Sequence, residues 1–213
     1  MIKNKEPLKY IENQNRLVDD EAIIEQLENN LSKGPVLLIA PGKSSELEKE
    51  KVMQYIKEKN PIIIGVNAIH PDYCYKYLFF ISTVRYNYAK EIYPQQFSEA
   101  KKILLSNIKT QPEEDELIVN YNRVIKRGWV HFDNAVIHIL RLLDKLHVKT
   151  IALAGFDGFQ HKYNESYADQ SLPTLNPDNR WDELNEEISD MFQDFKASSA
   201  MYINFLTESI FDR

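Results

Sequence analysis

The chain has 213 residues, of which 43% are hydrophobic, and its formal net charge is −6 with acidic and basic residues well mixed. This length and apolar content fit one large domain with a core of its own. We expect no nucleic-acid partner, because binding to a phosphate backbone needs a basic face. Cys74 is the only cysteine, which excludes an intrachain disulfide and a cysteine-rich zinc site.

The five histidines include no pair at the spacing of a helical zinc site, so the sequence predicts no metal. The first residues are polar, and no apolar run approaches the length of a membrane span. We therefore expect a soluble, cytoplasmic protein with no membrane partner. Residues 1–18 are charged and have few periodic apolar positions, which indicates an arm or linker. Residues 19–213 are predicted to form a single domain.

The first predicted element is a helix over about residues 20–32, with an aspartate as its cap. Residues 36–40 are continuously apolar, which is typical of a strand buried on both faces of a parallel sheet. A helix follows from Ser44 or Ser45, and a second apolar strand occupies residues 61–66. This strand–helix–strand unit requires a right-handed crossover and therefore a parallel pair of strands.

Further along the chain, Asp133 or Asn134 is expected to cap a strongly amphipathic helix. The polar loop at residues 160–180 is long enough to predict a lid or binding loop, and a final helix follows it. The alternation of buried strands and amphipathic helices predicts an α/β fold, a Rossmann-like three-layer sandwich with a mostly parallel sheet. The remaining predicted strands lie at residues 77–81, 103–105, 117–119, 150–154 and 201–206.

Small or polar residues follow four of the predicted strands. In an open parallel sheet, ligands bind outside the carboxyl ends of the strands near a topological switch point. The sequence therefore predicts a ligand site built from these strand ends, with an aromatic residue of the long loop closing over it. The predicted ligand-binding residues are Gly42, Lys43, Ser44, Asn67, Ser82, Arg85, Gly155, Asp157 and Tyr163.

The residues that follow the first predicted strand favour an anion as the ligand group. Ser44 lies at a predicted helix amino terminus, where free N–H groups and the helix dipole attract negative charge, and Lys43 adds a positive one. The spacing is neither that of a P-loop nor that of a dinucleotide-binding fingerprint, so an ordinary capped turn is the alternative. Arg85 is predicted as a bidentate anion clamp, with a surface ion pair as its alternative.

Asn67 and Asp157 carry side chains that suit the hydroxyl or base of a ligand. Asn67 offers both a donor and an acceptor, although an asparagine at a strand end also forms turns. Asp157 lies between two glycines, where an acid could bind a ribose or sugar hydroxyl, hold a metal or act as a base, and a cap of the following turn is the alternative. Asp157 is the one candidate catalytic residue, and whether the chain is an enzyme stays open. No motif requires a cofactor.

Four segments at the predicted strand ends form an ordered series. They are Ile-Ala-Pro-Gly-Lys-Ser at 39–44, Gly-Val-Asn-Ala at 65–68, Phe-Phe-Ile-Ser-Thr-Val-Arg-Tyr at 79–86 and Leu-Ala-Gly-Phe-Asp-Gly-Phe at 153–159. With this series the chain resembles the Rossmann-like carboxyl-terminal domain attached to aldolase-like (pyruvate-carboxyltransferase-like) barrel proteins of bacterial surface-polysaccharide gene clusters. More distantly, it is similar to bacterial sialyltransferases that use CMP-sialic acid, and to pterin diphosphokinase-like domains.

The resemblance implies a nucleotide- or nucleotide-sugar-binding domain, catalytically weak or inactive, that is accessory to an aldolase or lyase in bacterial sugar or polysaccharide metabolism. Asn67 and Asp157 match sialyltransferase positions, whereas Pro41 and Ser82 replace asparagines of that family. No histidine follows His161 to match the family's catalytic one, which implies weak or absent transferase activity.

Two alternatives stay open: an active sialyltransferase-like glycosyltransferase that uses a CMP-sugar, and an interaction or dimerisation module without a small-molecule ligand. The implied partners are a nucleotide or phosphosugar and an aldolase-like barrel, either covalently linked or separate. A homo-oligomer is compatible with the sequence.

Overall fold

The computed structural model describes residues 18–108, 115–160, 163–174 and 180–212, and the side chains of residues 163 and 164 are not among the parts described. Within these ranges the chain forms one seven-stranded sheet in which every neighbouring pair is parallel. The strands are β1 (Val36–Ile39), β2 (Ile62–Val66), β3 (Tyr77–Phe80), β4 (Lys101–Leu105), β5 (Glu116–Val119), β6 (Thr150–Ala154) and β7 (Tyr202–Phe205).

The strand order is β5-β4-β3-β2-β1-β6-β7, so the chain builds the sheet outward from β1 in both directions. Helices cover both faces of this sheet. They are α1 (Glu21–Leu31), α2 (Ser44–Leu47), α3 (Lys49–Lys59), α4 (Thr83–Ile92), α5 (Pro94–Glu99), α6 (Ala135–Lys145) and α7 (Trp181–Ser198). Two 3-10 helices, Tyr121–Arg123 and Tyr163–Ser166, lie between them.

Two hydrophobic clusters separate the three layers, because successive strand residues point to opposite faces. In β1, Val36 and Leu38 join the cluster with residues of α1, α6 and α7. Leu37 and Ile39 join the other cluster, with residues of α3, α4 and α5. The predicted α/β Rossmann-like sandwich is therefore confirmed, and its sheet is wholly parallel.

Local details differ from the predictions where tertiary contacts compete with sequence pattern. The helix predicted from Ser44 or Ser45 is divided at Glu48, and Leu47, the last residue of its first part, is 73% exposed. Ser45 donates its hydroxyl to Gly42 O rather than capping a helix. The aspartate before α1, Asp20, makes no cap bond, since its carboxylate accepts from Arg123.

Helices α4 and α5 lie where no helix was predicted. The chain leaves β3, turns at Ser82 and enters α4 at Thr83, with the Ser82 hydroxyl accepting the N–H of Arg85. Residues 1–17 of the predicted arm lie outside the described part of the chain. Among the described residues, no helix is long and apolar enough to cross a membrane.

Candidate functional site

The switch point of the sheet lies between β1 and β6, because the connections from these two neighbouring strands lead to opposite sides. Their carboxyl-end loops lie side by side. The N–H of Ala40 donates to Ala154 O at 2.9 Å, and the N–H of Gly42 donates to Gly155 O at 2.8 Å. This is the crevice in which ligands of such sheets bind.

Both predicted glycines are required by the contact between the two loops. A Cβ on Gly42 would lie 2.3 Å from Gly155 O and 2.6 Å from the Asp157 carboxylate. Gly155 has a φ of +74°, and a Cβ there would lie 2.2 Å from Ala40 O. Backbone packing within the protein therefore accounts for these glycines before any ligand is considered.

Ser44 and Asp157 are bonded to each other. The Ser44 N–H donates to Asp157 Oδ2 at 2.8 Å, and the Ser44 hydroxyl donates to Oδ1 at 2.5 Å. Thr207 Oγ1 lies 2.7 Å from Ser44 Oγ and accepts the N–H of Gly155. Since the single Ser44 proton goes to the carboxylate, Thr207 is the donor to Ser44. The amide predicted to hold a ligand anion thus already holds a carboxylate of the protein.

Burial raises the pKa of Asp157 above its ordinary value, and the two hydrogen bonds from Ser44 oppose that change. The side chain accepts the N–H of the first residue of α2, whereas the turn-cap alternative placed this carboxylate on the turn that follows it in the chain. Its catalytic role stays a prediction, because the carboxylate is already committed to Ser44.

Cavity A, with a volume of about 140 Å³, opens at the switch point. Its floor and walls come from the ends of β1, β2, β3 and β6, and from the start of α6. The apolar part of its lining includes Val66, Ile81, Phe156, Phe159, Ile188 and Phe211. The polar part includes Asn67, Arg85, Asp133 and Asp157.

Arg85 lines cavity A and is buried without a full set of hydrogen bonds from the described residues. The residue is only 7% exposed, and its Nη1 is buried without a hydrogen-bond partner among the described residues. Its guanidinium carbon lies 4.8 Å from the centre of the Tyr167 ring. Burial lowers the pKa of Arg85, while Tyr167 and Asp169 oppose this change. An unpaired buried cation is costly, so an anionic group is the natural complement.

The amino terminus of α6 also lines cavity A, through residues 133–136. Asn134 caps the helix by accepting the N–H groups of Val136 and Ile137 at 3.0 and 3.1 Å. The positive end of an 11-residue helix dipole therefore lies beside the buried guanidinium. The sequence predicted a cap at Asp133 or Asn134 but did not place it in the ligand site. A helix that begins directly after a loop was the one signal that pointed to it.

Asn67 connects two strand ends as well as lining cavity A. Its backbone has a φ of +57°, a left-handed conformation that asparagine adopts more readily than most residues. Its Oδ1 accepts the N–H of Ile81 at 3.3 Å. The turn-forming alternative is therefore present in the structure, and ligand binding by Asn67 stays a prediction.

Three predicted residues, Lys43, Ser44 and Ser82, are not among the residues that line cavity A. Ser82 caps α4 and does not line the cavity. Lys43 is exposed and lines a separate groove with Ser44, Glu165, Glu208 and Asp212. The side chain of Tyr163 lies outside the described residues. The structure thus brings Gly42, Asn67, Arg85, Gly155 and Asp157 together.

Cavity B, of about 320 Å³, lies on the other side of Pro41 and was not predicted. Its lining includes His70, Asp72, Tyr75, Tyr93 and Asp169. Residues 166–169 run between the two cavities, held by the bond from Ala168 N–H to Pro41 O and by tyrosine hydroxyls. Tyr88 and Tyr93 donate to Asp169 Oδ2 at 2.8 and 3.0 Å.

No family model, no curated protein and no solved structure matches this chain. The resemblance to aldolase-linked domains and sialyltransferases therefore stays a prediction, and the geometry of cavity A carries the functional argument. Among the described residues, no group of three or more His, Cys, Asp and Glu side chains could hold a metal ion.

Proposed function

We propose that this protein binds a small anionic metabolite in cavity A, with the anionic group on Arg85. The buried Nη1 of Arg85, which has no hydrogen-bond partner in the described part of the chain, is the observation that supports this most directly. The sequence favours a nucleotide, a nucleotide sugar or a phosphosugar as the ligand. The location at the carboxyl ends of β1 and β6 agrees with where open parallel sheets bind such molecules.

Cavity size limits how such a ligand is placed. Cavity A holds about 140 Å³, whereas pockets for whole drug-sized ligands span roughly 300–1,000 Å³. A complete nucleotide sugar therefore extends beyond cavity A, and cavity B, which shares Ala40 and Pro41 as lining, is the adjoining space. Residues 166–169 would have to shift to join the two.

The commitment of both Asp157 oxygens to Ser44 supports a domain that binds rather than transforms its ligand. We accordingly propose a catalytically weak or inactive domain, accessory to an aldolase or lyase of bacterial sugar or polysaccharide metabolism. The association with a lyase rests on the sequence resemblance alone.

A thermal-shift screen tests the proposed function. The panel contains CMP, CDP, UDP, CMP-sialic acid, simple phosphosugars and small carboxylates. A ligand at 100 times its dissociation constant should stabilise the fold by about 2.7 kcal/mol, a shift of roughly 5–10 °C. The shift should disappear in Arg85→Gln and persist in Lys43→Gln, whose side chain lies in the other groove. No shift with any anion, or the same shift in Arg85→Gln, would exclude the proposal.

An active glycosyltransferase-like enzyme is the second proposal. It is supported by the burial of Asp157, which raises the pKa of this carboxyl and so suits a group that accepts a proton. It predicts slow release of CMP from a CMP-sugar, lost in Asp157→Asn. Equal CMP release with and without the protein would rule it out.

A further inference from the structure

The charges around cavity A are unevenly distributed. Of the described residues that line it, Arg85 is the one cation, and Asp133 and Asp157 are carboxylic acids. Lys43, the other predicted anion ligand, lines a different groove. A phosphate monoester carries about −1.5 to −2 charges at neutral pH, whereas a carboxylate carries one. One guanidinium can neutralise a single negative charge but not two.

Both acids are held in place by bonds within the protein. Asp157 accepts two hydrogen bonds from Ser44, and Asp133 Oδ1 accepts the Tyr121 hydroxyl at 2.8 Å. These bonds prevent the carboxylates from turning away when a ligand enters. A second negative charge on the ligand would therefore face two carboxylates of fixed position, the half-buried Asp157 and Asp133, whose side chain is 49% exposed, and would be repelled by both.

The remaining lining fits a compact organic body. Aliphatic and aromatic side chains, among them Ile81, Phe156 and Phe159, form the wall beside the polar group. The volume of about 140 Å³ is close to that of the engineered protein cavity of about 150 Å³ that binds benzene. A planar carboxylate also matches the fork of a guanidinium, which can hold it with two parallel hydrogen bonds.

We infer that the ligand group of cavity A is a singly charged carboxylate rather than a phosphate, on a small body that packs against the apolar wall. This inference rests on the proposed function, namely that Arg85 holds an anion, and it replaces the phosphate groups of the ligands that the sequence favours by a carboxylate. We assign Asp133 as the residue that determines this specificity. It lines cavity A next to the amino terminus of α6, where a doubly charged group would face it.

Benzoate and phenyl phosphate form a matched pair of probes, because they share a ring and differ in charge. Calorimetric titration of the full chain at neutral pH should show benzoate binding at least about tenfold more tightly, a difference of about 1.4 kcal/mol. Asp133→Asn keeps an oxygen that can accept from Tyr121 and should reduce this preference by about tenfold. Asp212→Asn, an acid of the other groove, should leave the preference unchanged.

The outcomes separate the two proposals. Phenyl phosphate that binds as tightly as benzoate, with both lost in Arg85→Gln, would overturn the inference and leave the proposed function standing. An unchanged preference in Asp133→Asn would remove Asp133 as its cause and overturn the charge argument. Binding of neither probe at millimolar concentration, or binding that survives Arg85→Gln, would overturn the proposed function and the inference together.

Discussion

Ser44 and Asp157 are joined by two hydrogen bonds although 113 residues separate them in the chain. The pair connects the loop after β1 to the loop after β6 and thereby holds the two sides of the switch point together. Thr207, at the end of β7, continues the same chain of hydroxyl groups. The crevice in which a ligand is expected is thus shaped by contacts within the protein.

Asp157→Asn should lower the free energy of unfolding by about 1–3 kcal/mol, because an amide replaces one of the two acceptor oxygens by a donor. Urea denaturation measures the effect through its midpoint. Asp212→Asn, at an exposed position, is the matched control and should change little. In a double-mutant cycle, Ser44→Ala and Asp157→Asn should be strongly non-additive, and additive effects would contradict the pairing.

Gly155→Ala should destabilise the fold by about 2 kcal/mol or more, since it combines a positive φ with a collision of the Cβ and Ala40 O. Gly34→Ala provides the control. A Cβ at Gly34 would meet nothing within 4 Å, so its effect on stability should be small or favourable. Melting temperatures of the two variants decide the matter, and equal values would show that the loops are free to separate.

Arg85→Met should abolish anion binding and raise the stability of the ligand-free protein by on the order of 1 kcal/mol, because it removes a buried charge that forms no ion pair with the described residues. The lost contact with the Tyr167 ring offsets part of this gain. Melting curves with and without ligand give both quantities. Lys43→Met is the control for loss of a positive charge, and marked destabilisation by Arg85→Met alone would show that the guanidinium has a partner in the folded protein.

His138 should make the protein sensitive to mild acid. Its ring is fully buried, neither ring nitrogen has a hydrogen-bond partner among the described residues, and burial lowers its pKa to about 3. The unfolded chain, with an ordinary value of 6.5, binds a proton that the folded protein excludes. Stability should therefore fall as the pH drops below 6.5 towards 3, by up to about 1.4 kcal/mol per unit.

His138→Leu should remove this dependence, which unfolding midpoints between neutral pH and about pH 5 would measure. His147→Asn is the control, because His147 is exposed and asparagine tolerates the left-handed backbone at that position. The control should retain the acid sensitivity of the native chain. The same slope in His138→Leu would assign the sensitivity to other groups.

The strands were predictable because a strand buried on both faces of the sheet has a continuous run of apolar residues. Residues 36–40 and 151–154 are apolar without interruption, and each run coincides closely with one strand of the sheet. Helix α4 was not predictable in this way. Its residues mix tyrosine, asparagine and arginine with few apolar positions, and it begins at Thr83 because β3 ends there and Ser82 caps it.

The sequence by itself determined the fold class, the strand ends and the glycines that follow them, because burial and turn geometry depend on neighbouring residues. Only the tertiary structure decided what those strand ends do. The order that places β1 beside β6 brings Asp157 onto the amide of Ser44, which local pattern had assigned to a ligand. Arg85, whose alternative was a surface ion pair, is buried together with Tyr86 and Ala89 of α4. Such pairings depend on residues more than 100 positions apart, and no local pattern records them.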